Sequence, residues 1–497
     1  MPQLVSIKTG SEKLKRPRVV LLLSIVLILA ALLLTHYGLP AAAILIALPL
    51  VLGFLLWLFF HPRNGIVVYL FAAFLTGALG RYIPGIPFGL SLDTMLFLTL
   101  LAFIFTHFYS GISWKAANHP LTWITGAWFF YTILQMFNPE SQSTVAWFYA
   151  MRGVALYPFF TVLLSFLLFS KKKDLHVFLK IWAVFTLLSA LKGIQQVYIG
   201  VDPFEQRWLN EGAANTHILF GNLRAFGLYS DAGTYGAAMA QGALVFFAAG
   251  LDTKRRKTQV FYFITAALAI LGTIISGTRG ALVIPAFGGL LYLLLRKNIR
   301  LFSVGAFAML AFFLFLKFTT IGNSFYEINR MRSALNPDDA SLQVRLQNQR
   351  KLATYLRDKP FGGGVGSAGY WGLRFSPNTL LAQTPTDSWY VRIWAEMGIV
   401  GLGLHMAMLI YFLIAGSRIV FVKIHNRELN GIMAGFMGGY FGVMVASYGN
   451  QILGQLPIGQ TLFISLTLVF ISPKIQNEMQ QNDRSGKSSY NHDREIQ

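Results

Sequence analysis

Apolar runs of about 17–25 residues, each long enough to cross a bilayer as a helix, recur through the chain. They lie near 19–35, 41–60, 65–80, 91–109, 120–137, 152–169, 175–199, 230–250, 259–276, 280–295, 301–317, 389–414, 431–448 and 457–472. The pattern predicts an all-α, polytopic integral membrane protein with about 12–14 transmembrane helices. It is interrupted at length once, by a polar segment at 318–388. The expected organisation is therefore transmembrane helices 1–11 over 1–317, a loop over 318–388, C-terminal transmembrane helices over 389–473, and a polar, disordered tail over 474–497.

Inside the loop, Leu342, Leu346, Leu352 and Leu356 fall largely on one side of a predicted helix at 340–357, which Pro360 ends. A glycine run, Phe361-Gly-Gly-Gly-Val-Gly-Ser-Ala-Gly369, reads either as a flexible turn or as a set of backbone amides facing an anion. Thr386, Asp387 and Ser388 then offer three N-cap candidates for the next helix.

Composition agrees with a membrane location. The 497 residues are 55% hydrophobic and 12% charged, with a mean hydropathy of +0.54. The net charge of +21 does not point to nucleic acid, because the basic residues arrive in short clusters between apolar runs. No cysteine is present, which excludes disulfides, a thiolate nucleophile and Cys-ligated metal.

Charge also sets the expected orientation. The N-terminal cluster (Lys13, Lys15, Arg16, Arg18), Arg63, Lys115, Lys171-Lys172-Lys173, Lys254-Arg255-Arg256-Lys257, Arg296-Lys297-Arg300 and Arg418 with Lys423 and Arg427 fall in alternate loops. The positive-inside rule makes that side cytoplasmic, together with both termini. The first apolar run could instead be a cleaved signal ending at Ala41-Ala42-Ala43, with no change to the later topology. Loop 318–388 and a shorter loop at about 200–228 are then extracytoplasmic. ATP chemistry is not expected there, and the glycine run lacks the Gly-Lys-Ser/Thr ending of a phosphate loop.

Two arginines stand in apolar, glycine-bearing sequence at that face: Arg224 in Asn222-Leu-Arg-Ala-Phe-Gly-Leu-Tyr229, and Arg279 in Ser276-Gly-Thr-Arg-Gly-Ala281. A guanidinium at the hydrocarbon edge is costly unless it snorkels or is paired, and two planar forks suit a pyrophosphate. Asp387 is either a cap or a base taking a proton from an acceptor hydroxyl. Glu396 has a structural partner in Arg392 at i−4. On a straight helix His405 lies about 27 Å from Asp387, too far for an outer site. His217 is within reach of the outer face, and Arg81, Arg152 and Lys192 are further charges there. No His, Asp or Glu cluster has metal-ligand spacing, so neither metal nor cofactor is expected.

Three motifs in order resemble the O-antigen ligase and O-antigen polymerase superfamily. They are Ser276-Gly-Thr-Arg-Gly-Ala281, Arg345 followed by Pro360-Phe-Gly-Gly-Gly-Val-Gly366, and Thr386-Asp-Ser-Trp-Tyr-Val-Arg-Ile-Trp-Ala-Glu-Met-Gly-Ile-Val-Gly401. The similar core spans about 220–410. The resemblance implies a metal-independent membrane glycosyltransferase at the periplasmic face of the inner membrane that takes an undecaprenyl-diphosphate-linked glycan as donor and a glycan or glycolipid as acceptor. It further implies that Arg224 and Arg279, with Arg345, hold the diphosphate, and that a residue at the start of the following span activates the acceptor. Ligases of the family commonly have His followed by Asn there, whereas this chain has Asp387 followed by Ser388. A transporter or flippase of a lipid-linked sugar is the alternative, supported by Lys180 and Lys192 within one predicted span. A membrane scaffold without chemistry is a third reading.

Overall fold

The computed structural model describes residues 17–111, 114–323, 326–333 and 340–495. The expected basic cluster at Lys13, Lys15 and Arg16 lies outside the described residues. The protein is an all-α polytopic membrane protein; among the described residues 11 helices are long and apolar enough to cross a bilayer. The other three predicted spans are helical as well, at Pro17–Tyr37, Pro120–Leu134 and, with its opening turn, Arg279–Leu295.

Residue size sorts the helices between centre and rim. Ala232–Asp252 and Arg427–Ala446 are each 89% buried. Their Ala and Gly residues let backbones approach closely, the usual basis of helix association in lipid. A Cβ added to Gly288 would lie 2.4 Å from the Gly438 carbonyl, and one on Gly435 would lie 2.8 Å from the Ala248 methyl. By contrast Leu39–Phe60 and Ile299–Phe318, built from large aliphatic and aromatic residues, are only 6% buried and form the rim.

The loops sort into two ends by contact. At the basic end Arg63 donates to Ser170, and Arg296 and Arg427 both pair with Asp252. At the opposite end Asn138 donates to the Phe361 carbonyl, the Trp389 amide donates to the Ser447 carbonyl, and Gly280 packs on Asn450.

The region around the predicted span 389–414 departs most from expectation. Trp389–Arg418 is broken at Gly398, whose φ of 68° and ψ of −170° belong to a region essentially reserved for glycine. Trp389 and His405 would stand about 24 Å apart on a straight helix. Instead the Trp389 indole donates to His405 Nε2 at 2.9 Å. The chain is thus a short arm, 389–397, folded against a longer one, and the straight-rod distance assigned to His405 is wrong. His405 is nevertheless sealed between Trp389 and Trp128, so it is a packing group.

The glycine run explains how this break is held. Gly363 N donates to Ala395 O and Gly364 N to Glu396 O, while Val400 N donates to Pro360 O. Added Cβ atoms would lie 2.4 Å from Gly398 N at Gly362 and 2.5 Å from Ala146 O at Gly366. The run is therefore a close-packed seam, and neither a flexible turn nor an open anion nest; these amides already have protein acceptors. Beside the seam, Leu352 and Leu356 bury with Ala368, Leu381 and Ala395 in a small satellite core, while Leu342 stays exposed.

Under the seam Glu396, fully buried, meets Arg392 Nε at 3.1 Å, as the i−4 spacing suggests. Replacing Arg392 with Ala would strand a buried carboxylate at a cost of about 3–5 kcal/mol. We expect a large fall in the unfolding temperature in detergent, substantially recovered when Glu396→Gln is added; equal instability of the single and double variants would contradict the pairing.

The tail also differs. The last helix runs Ile458–Glu495, so the segment from Lys474, expected to be disordered, continues it. Extending an existing helix is far easier than nucleating one, and buried Gln476 anchors the first polar turns by accepting from the His425 and Asn426 amides.

Candidate functional site at the 276–280 turn

Arg224 is placed by a two-residue hairpin, Ile218–Leu219 against Asn222–Leu223, whose turn residues Phe220 and Gly221 both have positive φ, as such turns require. The Arg224 amide donates to His217 O at 2.8 Å. Its guanidinium donates to Ser276 O and Thr216 O, both at 3.0 Å, and to Thr278 Oγ1 at 2.9 Å. Arg279 follows in the same 276–280 turn, which reverses at Gly277 with φ of 58°. A Cβ on Gly277 would lie 3.5 Å from the Arg224 side chain. The two arginines, far apart in sequence, thus share one turn, and both are half-buried.

Arg345 and Asp387 form a second pair: Arg345 Nε meets Asp387 Oδ2 at 3.2 Å across 42 residues of chain. Asp387 is not the helix cap. Ser388 takes that role by accepting from Val391 N, so the Asp387 carboxylate, 45% exposed, points its chemistry outward. The two pairs meet at the turn after Ala446. Gly280 packs directly on the Asn450 side chain, and Gly449 lies against Arg345 Nη1, 3.9 Å from where its Cβ would be. Gln451 next to them donates to Thr386 and accepts from Arg392 at 3.3 Å, fixing the Thr386-Asp387 backbone.

The helix Tyr326–Ser333 of the long loop lies over Arg279, whose Nη1 donates to Ser333 Oγ at 3.2 Å. A cleft of only about 10 Å³ remains there, lined by Gly277, Thr278, Arg279, Arg330 and Met331.

Three arginines and one aspartate thus stand around two neighbouring turns at one end of the bundle. Residues 264–406 match the family model described as O-antigen ligase. This stretch is similar to the O-antigen ligase family. The similarity supports, in general terms, an O-antigen-ligase-like membrane glycosyltransferase. No curated protein matches the chain. The matched residues include Arg279, Arg345 and Asp387, while Arg224 lies outside them.

The other charges at this end are structural. His217 does not face a ligand: its Nε2 accepts from Ala232 N at 3.2 Å, which makes Nδ1 the protonated nitrogen, donating to Ala213 O at 2.9 Å. Burial pushes its pKa below the ordinary histidine value, and the neutral ring holds the hairpin that carries Arg224. Arg81 donates to the carbonyls of Gly227 and Tyr229, and Arg152 pairs with Asp93 at 2.8 Å. Lys192 pairs with Asp202 at 2.9 Å and Glu205 at 3.2 Å. Burial alone would raise the Asp202 pKa, but hydrogen bonds from Tyr82 and Lys192 prevail and hold it at about 2. Asn450 and Gln451 carried no motif in the sequence; only the contact between two distant turns shows their part.

Proposed function

We propose that the protein transfers, or polymerises, a glycan carried on undecaprenyl diphosphate at the periplasmic face of the inner membrane. The observation that carries this reading is the convergence of Arg224, Arg279, Arg345 and Asp387 on the paired turns at 276–280 and 449–451. The acceptor hydroxyl oxygen bonds to the donor's anomeric carbon while the bond from that carbon to the diphosphate oxygen breaks. Asp387 takes the hydroxyl proton, and undecaprenyl diphosphate leaves with the bonding electron pair.

Arg224 and Arg279 stabilise the charge growing on the diphosphate, a preorganised electrostatic role. Arg345 orients Asp387 through Nε and has further guanidinium nitrogens for the phosphate oxygens. Because these cations supply the positive charge, full turnover is expected with a chelator present. The loop helix over Arg279 acts as the cover of the donor site. Donor entry requires it to lift, since the cleft beneath it is far smaller than a diphosphate.

Asp387→Asn should lower kcat by about 10²–10⁴ with KM for the donor little changed, the loss expected of a general base. Turnover within a factor of two of the parent would remove Asp387 from the chemistry. A transporter reading finds little support, because Lys192 is tied to Asp202 and Glu205 and does not line a charged path.

A further inference from the structure

A large cavity lies at the basic end, away from the 276–280 turn. It has a volume of about 830 Å³ between the ends of the Ala232–Asp252 and Arg427–Ala446 helices and the start of Ile299–Phe318. Its walls include Arg296, Lys297, Arg300, His425 and Arg427 against the single carboxylate of Asp252. Asp252 is almost fully buried and fixes two of these cations: Arg296 Nη2 at 2.5 Å and Arg427 Nε at 2.7 Å. Arg296 is locked further by Asn430 Oδ1 at 2.9 Å. Arg427 is held through Nε alone among these contacts, and its side chain, 84% exposed, lines the cavity.

Lys297 adopts a positive φ of 53°, uncommon for a non-glycine residue, and its ammonium sits 4.4 Å from the Phe421 ring centre. Arg300 is exposed on the first turn of Ile299–Phe318. The cavity thus holds four Lys or Arg side chains against one carboxylate, and that carboxylate is already spent inside the wall. Lys297, Arg300 and Arg427, though exposed, line one concavity.

The third wall decides the ligand class. Ile299–Phe318 packs along the Val283–Leu295 helix, with Gly305 against Leu293, and leaves Val304, Phe307 and Leu310 exposed. An anion bound among Lys297, Arg300 and Arg427 would therefore sit at the end of the exposed apolar face of this rim helix. We propose that this cavity binds the phosphate headgroup of an anionic phospholipid, with acyl chains lying against Ile299–Phe318. Basic pockets between helices at the cytoplasmic membrane surface suit such headgroups.

The test uses the full chain purified in detergent and titrated with phosphatidylglycerol, with phosphatidylcholine, and with inorganic phosphate, following bound lipid by native mass spectrometry and stability by thermal unfolding. Phosphatidylglycerol should be retained over phosphatidylcholine and should raise the unfolding temperature more than phosphate does. Lys297→Gln with Arg300→Gln, neither of which touches Asp252, should weaken phosphatidylglycerol binding about 25-fold, at about fivefold per basic residue removed. Lys173→Gln with Lys257→Gln removes the same charge elsewhere on the basic end and should leave binding unchanged. Equal retention of both lipids, or equal loss in both double variants, would overturn the site. Stabilisation by inorganic phosphate matching that by phosphatidylglycerol would assign the cavity to a free anion and overturn the lipid reading.

Discussion

Gly398→Ala is expected to cost at least about 3 kcal/mol and to leave little folded protein in the membrane. Its φ and ψ lie where an alanine is strained whatever the space around it, and the space is absent too. The new methyl would lie 2.0 Å from the Pro360 carbonyl oxygen and 2.5 Å from Gly362 N. Neither can retreat freely, because Val400 N bonds Pro360 O and Gly363 N and Gly364 N bond the carbonyls just before the break. The measurement is the yield and unfolding temperature of the detergent-solubilised variant beside Gly403→Ala, where an added Cβ meets nothing. Parent-like stability of Gly398→Ala would mean that the fold-back at 398 is not part of the native structure.

Arg224→Ala combined with Arg279→Ala should abolish glycan transfer, a fall of about 10³-fold or more, while the protein stays folded. Each single variant should lose less than the pair does, since the remaining guanidinium and Arg345 still face the donor. Two features separate this from general damage. Although the Arg224 guanidinium bonds Thr216, Ser276 and Thr278, the backbone of its hairpin is also held by His217 and the Ile275 carbonyl, and Arg279 meets the loop through Ser333. Lost turnover with a modestly lowered unfolding temperature is the expected pattern, because the removed guanidiniums also bond protein groups. Retained turnover in the double variant would take the diphosphate away from this turn.

Much of the architecture is legible in the sequence because hydrocarbon imposes one strong rule: the backbone must satisfy itself along a run long enough to cross. That rule placed all fourteen helices, and the cost of a guanidinium at the membrane edge singled out Arg224 and Arg279 before any fold was known. Contacts between distant residues were not legible in the same way. Arg345 and Asp387 are separated by 42 residues, and nothing local links either to Asn450 or Gly280. Gly398 was hidden for a different reason: one glycine in an apolar stretch changes hydropathy little, yet here it reverses the chain. The glycine run misled because amides that look open in sequence are bonded to carbonyls supplied by that reversal. His217 and Lys192, plausible as chemistry by type, proved to hold loops, because buried polar groups that find partners stabilise structure.

The most direct test of transfer is reconstitution of the full chain in vesicles with an undecaprenyl-diphosphate-linked glycan and an acceptor glycolipid, with a chelator present, following both the product and the location of the donor. The account predicts a new glycosidic bond with one undecaprenyl diphosphate released per bond. Movement of intact donor between leaflets, with no new bond and no released undecaprenyl diphosphate, would contradict it.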